Sequence, residues 1–175
     1  VGAPFQRRLA VTDGYIKLPG KDLYVFGFED VPFADPIASL DVYKGSTKAP
    51  APLTWVDEGQ DVFIKLTNLG FSVRPDLDDA HTIHWHGFRN AYTIFDGVPE
   101  VSIAVPVTRD FDYYYQPHDA GTYMYHCHFE DVEHVQMGMT GIIFVRPAQN
   151  AGAGFIPAGT YAYNDRVLPS DPAST

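Results

Sequence analysis

The tripeptide His126-Cys127-His128 constrains this chain more than any other feature. Side chains alternate faces along an extended strand, so the cysteine must point away from both histidines. Cys127 is the only cysteine in 175 residues, which excludes an internal disulfide. A free thiol between histidines is either a metal ligand or a nucleophile. A second cluster, His81-Thr82-Ile83-His84-Trp85-His86, lies upstream. Six of the seven histidines thus fall in or beside two short segments.

The rest of the chain reads as β-structure. Pro and Gly are frequent, aromatic residues are plentiful (12 Phe, 11 Tyr), and no long stretch has helical periodicity. Residues 9–18 and 23–28 read as strands split by Pro19-Gly20. In 61–69, Val62, Ile64 and Leu66 share one face. The histidine segment, 102–107, 110–115, 122–127 and 141–146 read as further strands, with loops at 49–52 and 74–80. Residues 130–134 read as one helical turn. About eight such strands predict an all-β Greek-key sandwich or barrel over residues 1–147. From 148 to 175 the pattern fails. That linker-like stretch reads either as a surface tail or as the start of a second domain.

The net charge is −10, from 12 basic and 22 acidic residues, so neither nucleic acid nor an anionic membrane is expected as a partner. No run of 18 apolar residues is present. Val1-Gly2-Ala3-Pro4 carries no initiator Met and is not a signal peptide, so location rests on chemistry.

Strand parity separates two ligand sets. Tyr123, Tyr125 and Cys127 point one way, and the aromatic neighbours make that the core side. Met124, His126 and His128 point the other way. His84 and His86 share a face, and His81 has the opposite parity. The inner set is Cys127, His81, His134 and Met139: one thiolate, two imidazoles and a thioether. That is the donor set of an electron-transfer copper site. Zinc also binds Cys and His, but gains nothing from the methionine. The outer set, His84, His86, His126 and His128, has no anionic ligand. Four outward imidazoles exceed the needs of one structural ion and read as half of a larger site.

These residues resemble the multicopper oxidases, the laccase and two-domain laccase group. His84-Trp85-His86-Gly87 resembles the family's HWHG motif and Tyr125-His126-Cys127-His128 its YHCH motif. Asp96-Gly97-Val98-Pro99, Gly121-Thr122-Tyr123 and Gly138-Met139-Thr140-Gly141 resemble three further family segments. The likeness covers about residues 50–147.

The resemblance implies a cupredoxin fold. It makes His81, Cys127, His134 and Met139 type 1 copper ligands, with His134 at the exposed edge. It makes His84 a type 2 ligand, and His86, His126 and His128 type 3 ligands. It implies proton-relay roles for Asp96 and Glu130, and electron transfer through Cys127. The family's trinuclear cluster takes eight histidines from two domains, and this chain supplies four. The resemblance therefore implies a homo-oligomer or pairing with a second cupredoxin domain. Further expectations are dioxygen as acceptor, phenolic or other small reductants as donors, and an extracellular or periplasmic location. The gap from Cys127 to His134 is two residues longer than in common laccases.

Two other functions share parts of this pattern. A copper nitrite reductase shares the fold but does not need the HxH and HCH quartet. An electron-transfer cupredoxin would use the inner set alone. Among the remaining candidates, His118 reads as a surface loop residue and Trp85 as packing. Tyr113 to Tyr115 read as strand core and edge, and Met137 competes with Met139 as axial ligand.

Overall fold

The computed structural model describes residues 3–88 and 92–148. All but the first residue of the expected tail lies outside them. Two four-stranded sheets pack face to face. The first contains β1 (Phe5–Leu18), β2 (Lys21–Val31), β4 (Val62–Asn68) and β6 (Asp110–Tyr115), in the order β2-β1-β4-β6. The second contains β3 (Thr54–Asp57), β5 (His84–His86), β7 (Gly121–His126) and β8 (Thr140–Arg146), in the order β3-β8-β7-β5. One short helix, α1 (Asp131–Gln136), connects β7 to β8.

Alternation drives the sandwich. Val62, Ile64 and Leu66 of β4 are buried, as their period-2 pattern requires. From the opposite sheet Tyr125, Cys127, Ile143 and Val145 face the same core. Each buried Leu or Ile side chain contributes roughly 1.5–3 kcal/mol of transfer free energy.

β1 departs from simple alternation. Its residues from Arg8 to Gly14 are buried on both faces. A 3-10 segment at Ile37–Tyr43 explains this. Leu40 of that segment, with Ile37 and Tyr43, covers Ala10, Val31 and Leu69 on the outer face of the first sheet. No periodicity in the sequence marked this segment.

Several expected elements are corrected. β1 and β2 are longer than 9–18 and 23–28, because their antiparallel register continues from Arg8↔Val31 to Leu18↔Lys21. The strand expected at 102–107 is absent. Only Val105 pairs, through a single bridge to His81, and Pro106 beside it has no N–H to extend a ladder. The histidine strand shrinks to three residues, with His81 held by that bridge (N–H···O 3.1 and 2.8 Å). β3 was not expected. Its four residues pair in parallel with β8, so its register is set by the partner rather than by local pattern. The helical turn expected at 130–134 is α1, entered through Glu130 at φ 45.

The loop that delivers His81 is pinned from below. The buried Asp13 carboxylate accepts N–H bonds from Ser72, Val73 and Arg74 at 2.6, 2.8 and 3.2 Å. It also accepts the Tyr24 hydroxyl at 2.7 Å. A buried carboxylate so saturated fixes the backbone around it. No helix among the described residues is long and apolar enough to cross a membrane.

Candidate metal centres

Cys127, His81 and His134 converge inside the sandwich. Cys127 follows β7, His134 occupies the last turn of α1, and His81 sits at the bridge to Val105. Cys127 Sγ lies 3.6 Å from His81 Nδ1 and 3.4 Å from His134 Nδ1. An ion about 2.3 Å from sulfur and 2.0 Å from nitrogen, at a trigonal angle, separates them by roughly 3.7 Å. The donor spacing therefore fits a shared ion. Backbone bonds tie the ligand segments together: the Cys127 N–H donates to Met139 O (3.2 Å) and the Met139 N–H to His134 O (3.0 Å). Met139 is fully buried here, whereas Met137 is half-buried at the surface of the same turn. Gly138 between them has φ +119, and a Cβ there would meet Phe26 O at 2.9 Å.

Burial sets the protonation of this set. It pushes the Cys127 thiol up to about 11, opposed by N–H donation from Thr82. It holds His81 well below the ordinary histidine value, with His134 adding repulsion. Neutral imidazoles are ready donors, and a bound cation would reverse the thiol's preference.

His134 corrects one expectation. It is not at an exposed edge: its relative exposure is 0%. Phe129 stacks beside the ring, Phe26 meets it edge-on, and Asp79 Oδ2 stands 3.8 Å from Nε2. The acidic loop before His81 and the residues after His128 close over the imidazole. Its Nε2 has no hydrogen-bond partner. Glu130 joins Asp79 and His134 in one group of candidate donors, on the side of the inner set.

The outer set gathers across the β5–β7 ladder. His84 pairs with His126 in register, and His86 with Met124. The ring centroid separations are 5.3 Å for His84–His126, 5.0 Å for His84–His128 and 5.6 Å for His126–His128. His86 Nδ1 lies 3.2 Å from His126 Nε2. Two ring orientations are fixed by carbonyls, which only accept. His84 Nδ1–H donates to Asp96 O at 2.6 Å, and His126 Nδ1–H to Cys127 O at 2.8 Å. Each ring thereby presents an unprotonated Nε2 lone pair, which at His126 faces His86 Nδ1. His126 is held below its ordinary pKa by burial first, then by the other three imidazoles, against the Cys127 carbonyl bond. His84, His86 and His126 form a second candidate ligand group. A donor set of imidazoles with no anionic member fits copper.

Asp96 lies beside this outer set, its carboxylate 3.6 Å from His84 Nδ1. Gly97 after it is obligatory. Its φ is +74, and a Cβ would stand 2.0 Å from Ile83 O. His118 is exposed, as expected of a loop residue. Trp85 is buried against Tyr115 (4.5 Å between centroids), and Tyr113 and Tyr115 are core.

Sequence reasoning missed two residues. Thr82 donates its backbone N–H to Cys127 Sγ (3.5 Å), and its Oγ1 accepts the His128 N–H (3.0 Å). Only its place between two ligands hinted at a role. Asp79 was read as part of a polar loop. Its position two residues before His81 was the available signal.

A buried Cys/His set and an all-histidine set on the two sides of the β7 end, within a two-sheet Greek-key sandwich, define a cupredoxin-type copper protein. The sequence profile described as "Multicopper oxidase" matches residues 39–150. The chain belongs to the multicopper oxidase family. It is 32% identical over 108 residues to the multicopper oxidase MCE of Talaromyces pinophilus, a match covering 61% of this chain and 16% of that protein. Laccase-1 of Cryptococcus neoformans var. neoformans is 30% identical over 94 residues, 52% of this chain and 14% of its own length. The crystal structure of the blue copper oxidase from Nitrosomonas europaea superposes with a TM-score of 0.65 and 33% identity, over 83% of this chain and 39% of that one. The chain thus spans about a sixth or less of these curated relatives' length and about two-fifths of that solved structure.

Proposed function

We propose that this chain is the electron-accepting half of a copper oxidase that takes single electrons from phenolic or other small reductants and reduces dioxygen to water. The observation that carries the reading is the shared strand end: Cys127 belongs to the buried set, and its covalent neighbours His126 and His128 belong to the outer set.

His81, Cys127, His134 and Met139 would hold a type 1 copper, His84 a type 2 copper, and His86, His126 and His128 type 3 coppers. Bound copper supplies one-electron redox chemistry at the inner set and oxygen reduction at the outer one. The protein's share is positioning. Burial of all four inner ligands excludes water and fixes their geometry with little rearrangement. The Cys127–His126 contact is doubled: a covalent link along the chain and the His126 Nδ1–H bond to Cys127 O. Both give a short route between the two sets.

Asp96 stands beside His84, and this supports a proton-delivery role for its carboxylate. Glu130 was given the same role by resemblance. Its neighbours Asp79 and His134 lie on the inner side, so Asp96 is the stronger candidate. An extracellular or periplasmic location belongs to the same reading.

Four histidines are half of what the family's cluster takes, so oxygen reduction requires histidines from outside this chain. The test is oxygen uptake by the copper-loaded protein with a phenolic dye as donor. Uptake coupled to dye oxidation supports the oxidase. Nitrite consumption without oxygen uptake replaces it with the nitrite reductase reading. A blue protein inert to both leaves only electron transfer.

A further inference from the structure

Acidic side chains crowd the surface over the inner set. Residues 76–79 carry three carboxylates, and residues 130–133 at the start of α1 carry three more. The two segments meet at His134: the donor atoms of Asp79, Glu130 and His134 lie within 4.8 Å of one another. The flanking sequence does not offset them, because 75–88 and 110–145 contain no lysine or arginine. Arg74, just before the loop, is held by Asp76 through two bonds of 2.8 and 2.6 Å. Asp78, Asp79, Glu130, Asp131 and Glu133 are left without a lysine or arginine partner among the described residues.

Carboxylates alone make only a solvated surface, but two observations here point to a ligand. The first is His134 Nε2, which is fully buried, has no hydrogen-bond partner and stands 3.8 Å from Asp79 Oδ2. The ring thus turns one edge to the Cys127 sulfur and the other to the carboxylates. The second is a cleft of about 400 Å³ along α1, lined by Glu130, Asp131, Val132, Glu133, Gln136 and Met137. It sets three carboxylates beside an apolar wall, and Val132 there is 74% exposed. A positive charge on an apolar body suits that lining.

Burial decides how an electron donor is met. His134 is closed over, so a reductant gains nothing from contact with the ring. What it meets first is the field of the carboxylates. Clefts lined by one sign of charge raise the on-rates of the opposite charge by roughly 10- to 1,000-fold. Anions are repelled, and a neutral phenol is neither held nor turned away.

Resting on the proposed oxidase reading, we infer that the Asp79–Glu130–Glu133 rim selects positively charged aromatic donors, such as a protonated or quaternary aromatic amine, which dock in the α1 cleft and give up electrons at the His134 edge. Each donor loses one electron and forms no bond to the protein. Four such electrons, with four protons, reduce one dioxygen to two waters.

The test uses two one-electron donors with the same ferrocene core: ferrocenylmethyl-trimethylammonium, a cation, and ferrocenecarboxylate, an anion. Bleaching of the blue absorption of the copper-loaded protein is followed with each, in the wild type, Asp79→Asn, Glu130→Gln and Glu133→Gln. Asp41→Asn, exposed on the 3-10 segment over the first sheet, is the control. Each rim variant should slow the cation about fivefold and speed the anion, while the control alters neither. In the wild type the cation-to-anion rate ratio should fall as salt rises toward about 1 M, where the Debye length is about 3 Å. In the copper-free wild type, hexaamminechromium(III) should broaden the amide NMR signals of 78–79 and 130–133 first. Variants that slow both donors alike would give these carboxylates a proton-transfer or structural role and overturn the rim. So would a rate ratio indifferent to salt, or broadening centred elsewhere. Charge-selective bleaching without oxygen uptake keeps the rim and sinks the oxidase reading instead.

Discussion

Thr82 links the two ligand sets through Cys127: its backbone N–H meets Cys127 Sγ at 3.5 Å, and its hydroxyl accepts the N–H of the next residue, His128, at 3.0 Å. One buried residue thus holds the thiolate segment through both its backbone and its side chain. An N–H pointed at a thiolate stabilises its negative charge, and through that the reduced or oxidised state of a bound ion.

Thr82→Val keeps the shape and removes the hydroxyl acceptor. The half-buried His128 N–H then loses its partner, at a cost of about 1 kcal/mol. Thermal denaturation should show that loss. The Thr82 side-chain bond that opposes burial in raising the Cys127 thiol is lost as well, so potentiometric titration should show a shifted potential for copper at the inner set, and Thr82→Ser should restore both. An unchanged potential with lowered stability would reduce Thr82 to a packing role.

Asp96→Asn retains the carbonyl that orients His84 and removes only the carboxylate. Oxygen reduction should slow by roughly 100-fold, in the range of a lost general acid. The blue absorption should stay as it was. Stopped-flow reoxidation by oxygen checks this, and an unaffected rate would remove Asp96 from proton delivery.

Gly97→Ala should damage the outer set before the inner one. The new methyl would collide with Ile83 O and the His84 N–H at a positive φ. A loss of at least about 2 kcal/mol is expected from the clash and the backbone strain. Copper analysis should show ions missing from the outer histidines while the blue colour persists. A variant as stable as the parent with full copper would contradict the close approach.

Alkali should unfold the protein through its tyrosines. Burial raises Tyr113, Tyr115 and Tyr125 above the ordinary tyrosine value, and burial with the Asp13 bond raises Tyr24. A group whose folded pKa is raised contributes stability fully present below its unfolded value. That contribution is lost as pH climbs from about 10 toward the folded value. The melting temperature should therefore fall steeply above about pH 10, with tyrosinate absorbance appearing at the unfolding transition rather than before it. Early ionisation of these tyrosines in the folded state would contradict their burial.

Strand parity made both candidate ligand sets legible in the sequence. Cys127 faces the core and the HxH pairs face outward because a period-2 pattern leaves no other choice. The eight-strand sandwich was legible for the same reason. What stayed hidden was set by tertiary partners. β3 owes its existence to parallel pairing with β8, and the 3-10 segment at Ile37–Tyr43 to the apolar face of β1 that it covers. The 102–107 run looked like a strand because Ile103, Val105 and Val107 alternate, yet Pro106 denies it a ladder. The burial of His134 was invisible because it depends on Phe129 and Asp79 closing from two separate loops.

The central claim is that one strand end serves two metal sites of different character. The visible absorption spectrum of the copper-loaded chain tests it most directly, taken on the wild type, Cys127→Ser and His86→Ala. An intense blue band should appear in the wild type, vanish in Cys127→Ser and survive in His86→Ala. A colourless copper complex, or a blue band that persists without the thiol, would contradict the account.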